Sequence, residues 1–238
     1  MELLLQPETY ISLITLTFLE IVLGIDNIIF ISIVTDRIPE QNQRRVRTIG
    51  LLMALVMRII LLSTLAYIIR LKEPLFTAFE FDISLRDVIL FLGGSFLLAK
   101  SVSEIHEKIE GAERGPVTVK RHSISYLLMQ IVLLDIVFSF DSIHTAIGLS
   151  KQLAVMITAV VIAMIAMIWF VEIISRFIKK HPTFQVLALS FLILIGFMLI
   201  LDGFHFDIPK GYIYFALFFS VMVEMINMKV KKKVPVED

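Results

Sequence analysis

The chain reads as an all-α polytopic membrane protein with seven transmembrane helices: an inverted 3+3 repeat plus one extra helix. Three observations lead there. Of the 238 residues, 58% are hydrophobic and only 18% charged, with a mean hydropathy of +0.88, well outside the usage of soluble domains. Seven apolar windows of about 18 to 25 residues can be cut from it, the length an α-helix needs to cross roughly 30 Å of hydrocarbon. An acidic pattern in the first window also returns in the fourth.

The windows fall near residues 10–34, 48–69, 87–103, 124–148, 153–175, 184–201 and 211–228. Their apolar character is continuous rather than alternating over short units, which disfavours a membrane β-barrel. The first carries "LEIVLGIDN" and lacks a basic leader or small-residue cleavage site, so it is expected to be a retained helix. The second holds Arg58 in "ALVMRIILL". The third holds "LGGSFLLAK", where Gly93 and Gly94 suit close helix approach and Lys100 suits snorkelling to an interface. The fourth carries "DIVFSFDS". The fifth contains Met164 and Met167, read as adaptable packing, and Trp169, read as an interfacial anchor. The sixth holds Gly196 in "LIGFMLILD", and the seventh is rich in aromatic residues.

"EIVLGIDN" at 20–27 and "DIVFSFDS" at 135–142 match position by position: acid, Ile, Val, apolar, small, apolar, Asp, small polar. Gly94 and Gly196 each precede a charge, Lys100 or Asp202, at the same distance. The chain therefore divides into a first three-helix repeat at 10–103, a loop at 104–123, a second repeat at 124–201, a seventh helix at 211–228 and a tail at 229–238. Three helices per unit force the second copy to be inverted, an architecture of transporters with a site near the bilayer midplane. Basic residues number 15 on one side of the spans and 5 on the other. The N-terminus is therefore expected outside and the C-terminus in the cytoplasm.

Each ionised carboxylate at a helix centre costs about 2.5 to 3.5 kcal/mol, so Glu20, Asp26, Asp135 and Asp141 together cost about 10 kcal/mol or more if unpaired. The remedies are protonation, buried bases or a bound cation. Arg58 and Lys100 are the charge-balancing or gating candidates, and two cations cannot neutralise four acids. A hard divalent cation can, held by Glu20, Asp26, Asn27, Asp135, Asp141 and Ser142, whose oxygens suit Mn²⁺, Mg²⁺ or Ca²⁺. Zero cysteines and scattered histidines speak against a soft-metal site, and His144 is read as a hydrogen-bonded residue rather than a ligand. On an ideal helix Glu20, Gly24 and Asn27 share a face while Asp26 lies about 120° away. Either the helix unwinds at Gly24 and at its counterpart Ser139, which is the expectation, or Asp26 and Asp141 turn to another partner such as Arg58.

With "YIYFALFFSVMVEMIN" in the last span, these paired motifs resemble the TerC family, within the LysE-like exporters. The resemblance covers nearly the whole chain. It implies an inner-membrane protein, for several members export of Mn²⁺, and for others a link to tellurium resistance or to envelope and thylakoid assembly. It places the acidic motif on the six residues above and adds Glu224. The expected activity is secondary transport of a divalent metal out of the cytoplasm in exchange for protons, since the chain shows no nucleotide-binding motif. No permanent cofactor and no nucleic acid is expected; the expected partners are the divalent metal ion, protons as coupling ion and the lipid bilayer, with the oligomeric state left open. The alternative function is a membrane-insertion or envelope-assembly factor. An intramembrane aspartyl protease fits worse, because "GID" lacks the second glycine of GxGD and the acids form symmetric pairs.

Overall fold

The computed structural model describes residues 7–64, 74–78, 81–110, 123–149, 152–206 and 208–231. The helices among them are α1 (Pro7–Thr35), α2 (Glu40–Ser63), α3 (Leu85–Glu110), α4 (Ile124–Leu149), α5 (Leu153–Lys180), α6 (Pro182–Gly203) and α7 (Lys210–Lys231). Six are long and apolar enough to cross a bilayer, and α4 carries a further apolar stretch over Ile124–Phe140. Large apolar side chains such as Ile14, Trp169 and Phe215 face outward, as an oily solvent requires.

Boundaries differ from the windows where polar residues prolong a helix. α2 begins at Glu40, ahead of the window at 48–69, because Gln43 and Arg47 are buried on the bundle side. Arg44, Arg45 and Arg47, which the apolar windows leave among the basic residues of the loop after the first span, are thus helical. Residues 65–69 of that window, and Arg114, Lys120 and Arg121 of the loop, lie outside the described residues. α3 runs on to Glu110, through Glu104, His106 and Glu107.

Hydropathy did not announce a short hairpin before α3: β1 (Pro74–Ala78) pairs antiparallel with β2 (Phe81–Ser84), Thr77 opposite Asp82. Ser84 then caps α3. Its backbone N–H and hydroxyl donate to Asp87 Oδ2 at 2.9 and 2.6 Å, and Asp87 N–H returns a bond to the Ser84 hydroxyl at 3.3 Å. α6 ends in the complementary way. His205 takes φ 63°, its N–H bonds Asp202 O at 3.1 Å and the Phe206 N–H bonds Leu201 O at 2.9 Å, a Schellman closure that ordinarily falls to glycine. The His205 ring reaches Asp87 Oδ2 at 3.0 Å, joining the two helix ends.

The repeat is visible in the packing. α3 lies antiparallel along α6, whereas α1 runs parallel to α5 and α2 parallel to α4. One buried cluster contains Leu16, Leu62, Ile143, Ala146 and Val160; another contains Ile131, Val171, Ile28, Ile31 and Leu51. These are the same five positions with the repeats exchanged. Leu16 corresponds to Ile131, Ile28 to Ile143 and Ile31 to Ala146 at the motif's own offset, and Leu51 and Leu62 correspond to Val160 and Val171 at a second constant offset. A two-fold relation between the halves reproduces both clusters. α7 stands outside it and packs mainly on α6, with Phe215, Phe218 and Phe219 turned outward.

Candidate functional site

The two motifs meet where α1 crosses α4. Glu20 and Asp135, equivalent positions of the repeats, both accept from Arg58 of α2: Nη1 donates to Glu20 and Nη2 to Asp135 at 2.9 Å. Arg58 Nε donates to the Ser139 hydroxyl at 3.1 Å, so three guanidinium nitrogens are bonded on a side chain only 2% exposed. Asn27 donates to Asp135 Oδ1 at 3.3 Å. This knot ties α1, α2 and α4 together among buried side chains, so each bond counts at low dielectric.

α1 and α4 run unbroken through Gly24 and Ser139, contrary to the expected unwinding. The reason is local: Ser139 keeps its helical backbone and uses its hydroxyl on Arg58 and Asp135, the latter at 3.3 Å. Gly24 is needed for space, since a Cβ there would run into the Met167 side chain of α5. With the helix intact, Asp26 points away from Glu20 as the ideal geometry requires. It lines a cavity of about 30 Å³, room for a water or a single ion, together with Arg58, Ser142, Leu23, Met198 and Tyr214. Asp26 is 7% exposed, and among the described residues it has no hydrogen-bond or ion-pair partner. A smaller cavity of about 10 Å³ opens beside Asn27 and Asp135, bounded by Leu51, Ala54 and Met167.

The seven acidic and polar candidates therefore separate. Glu20, Asn27 and Asp135 converge on one knot; Asp26 and Ser142 face the larger cavity, where the Ser142 hydroxyl also donates to Ser139 O at 3.3 Å. The side chains of Asp141 and His144 lie outside the described residues. Glu224 stays apart, half-buried on α7, where Asn227 donates to it at 3.5 Å, roughly 15 Å along the helix from Tyr214. Lys100 is not at the knot either: it pairs with Glu104 at 2.9 Å, one turn on along α3. Among the described residues no three acidic or histidine side chains converge closely enough to hold a metal. One positive charge thus stands against three described carboxylates at the crossing.

Three participants escaped sequence reasoning. Met198 and Tyr214 line the Asp26 cavity from α6 and α7, and no spacing signal points to either. Arg47, counted as a loop cation, is 3% exposed and donates to Thr35, Gln43 and Glu172 at 2.8, 2.9 and 3.1 Å. Its i, i+4 partner Gln43 was a legible signal once the helix is started at Glu40. With Arg37 on Glu104 at 2.6 Å and Lys179 on Asp36 at 3.1 Å, this polar cluster closes the Arg37 end of the bundle.

The model of the integral membrane protein TerC family matches residues 5–235. The chain is 51% identical over 232 residues to the UPF0053 inner membrane protein YgdQ of Escherichia coli (strain K12), covering 97% of each chain. It is 50% identical over 229 residues to a UPF0053 protein of Haemophilus influenzae, covering 95% of this chain and 96% of that one. To the longer UPF0053 inner membrane protein YoaE of Escherichia coli (strain K12) it is 45% identical over 228 residues, 95% of this chain and 44% of that protein. No solved structure matches.

Proposed function

This chain belongs to the TerC family of integral membrane proteins, and from that premise we propose that it is a secondary transporter exporting a hard divalent cation, Mn²⁺ first, in exchange for protons. The observation that carries the reading is Asp26, a buried acid with no partner among the described residues, facing an ion-sized cavity beside the Ser142 hydroxyl. An intramembrane acid without a counter-charge needs either a proton or a cation, and a site that accepts both in turn couples their movements. Glu20 and Asp135 lie on the other side of Arg58, which lines the Asp26 cavity, and are further oxygen donors held in reserve by that guanidinium. Asp141 is the Asp26 counterpart in the second repeat.

The inner-membrane names of relatives similar over nearly their whole length support a multi-pass inner-membrane location, and the basic-residue excess supports an outside N-terminus with a cytoplasmic C-terminus. No enzymatic role is proposed.

The test is cellular Mn²⁺ content and manganese tolerance with the intact chain or its Asp26→Asn variant, followed by flux in proteoliposomes. Lower Mn²⁺ content with the intact chain alone, and proton movement opposite to the metal, are the expected results. Mn²⁺ flux that ignores an imposed pH gradient would remove the exchange, and no effect of the intact chain on Mn²⁺ would remove the metal.

A further inference from the structure

The two-fold relation that reproduces the buried clusters fails at one charged position. Under it Ser139 corresponds to Gly24, and Arg58 corresponds to Met167 at the same offset that relates Leu51 to Val160. Both members of each pair are in contact: Arg58 donates to Ser139, and Met167 packs on Gly24. The α2–α4 contact is therefore a hydrogen-bonded ionic one, while its mirror image, α1 on α5, is apolar and closer. Gly24 lets α5 come in until a single added Cβ would collide with the Met167 side chain.

In an inverted-repeat transporter the two access states arise when the halves exchange conformations, so each α2–α4 contact in one state becomes an α1–α5 contact in the other. A perfectly symmetric pair would leave the ion-free states equal in energy. Here they differ. Exchange would press α2 onto α4, where a buried guanidinium and a serine side chain stand in place of a methionine and a glycine. It would also open α1 from α5, where Met167 stands in place of the guanidinium.

We propose that Arg58 is a state-setting residue: a resident cation on one repeat that holds the ion-free protein in the conformation seen here. Arriving metal displaces it by supplying the charge that Glu20 and Asp135 otherwise draw from it. This rests on the transporter reading and adds which arm is preferred at rest. A ligand moves such an equilibrium only through unequal affinity for the two states, and competition with a fixed guanidinium present on one arm alone provides that inequality.

The chain contains no cysteine, so single reporters can be placed without background. Ile213→Cys lines the Asp26 cavity and Ala54→Cys lines the Asn27 cavity. Each is labelled in full-length protein in proteoliposomes by an impermeant maleimide added to one face at a time, without and with Mn²⁺. With Arg58 present, the ratio of labelling from the two faces is skewed at rest and moves when Mn²⁺ is added. Arg58→Met shifts the metal-free ratio by about tenfold or more, Arg58→Lys restores it, and the exchange Arg58→Met with Met167→Arg reverses the skew. Should the exchange variant fail to fold, Glu20→Gln with Arg58→Met and Asp135→Asn, which leaves no buried charge at the knot, must shift the ratio as Arg58→Met does. Folded variants whose ratios match that of the parent overturn the proposal. Mn²⁺ flux measured in the same vesicles keeps the two readings apart: flux with unshifted ratios sinks the role of Arg58 alone, and shifted ratios without flux sink the metal reading alone.

Discussion

Gly94 and Gly196 face each other backbone to backbone across the α3–α6 crossing. A Cβ built on Gly94 would lie 2.5 Å from the Gly196 carbonyl oxygen, and one built on Gly196 would lie 2.8 Å from that of Gly94. The contact is reciprocal because the two residues are the same position in the two repeats. It marks where the two-fold axis passes through the bundle, and it explains why close approach of α3 and α6 needs no side chain on either partner.

Alanine at either glycine must therefore push the helices apart. Gly94→Ala and Gly196→Ala should each lower stability by about 1 to 3 kcal/mol, the usual cost of overpacking. The double variant should cost less than the two losses added, because the first displacement makes room for the second. Thermal unfolding of the detergent-solubilised protein measures all three; additive losses would show that the two glycines do not share one contact.

The carboxylates at the α1–α4 crossing should divide by partner. Arg58→Gln leaves Glu20 and Asp135 buried without a base and should cost about 3 to 5 kcal/mol. Adding Glu20→Gln and Asp135→Asn should recover most of that loss. Asp26→Asn breaks no bond among the described residues and should leave the unfolding midpoint close to that of the parent, while removing any stabilisation by added Mn²⁺. A large loss of stability in Asp26→Asn alone would show that this acid is a structural partner.

At the opposite end of the bundle from Arg37, Ser84 and His205 both act through Asp87. Ser84→Ala should cost about 1 kcal/mol, the worth of an N-cap. At His205 two effects separate cleanly: Ala and Gly both lose the ring bond to Asp87, but only Gly tolerates φ 63° without strain. His205→Ala should accordingly be less stable than His205→Gly by roughly 1 kcal/mol. Equal midpoints for the two would mean that the α6 terminus relaxes away from this conformation.

The sequence by itself determined the seven helices, the repeat and the presence of too many acids in an apolar setting. Continuous apolar length and duplicated motifs are local properties, and they survive any arrangement of the helices. Gly94 and Gly196 were matched in the sequence by their equal spacing from a charge, but that they touch across the axis came only from the packing. What only the tertiary structure decided is which acid meets which partner. A carboxylate on a helix presents one direction, and six residues of rotation send Asp26 to a cavity completed by Met198 and Tyr214, residues that carry no motif. The expected unwinding at Gly24 and Ser139 failed for the same reason: Arg58, more than thirty positions away in the chain, comes near enough to hold Glu20, Asp135 and Ser139 at once, and an intact helix suffices. The span of Arg58 was evident from composition, whereas its rotation toward α1 and α4 follows from how the halves pack, which no single stretch of residues encodes.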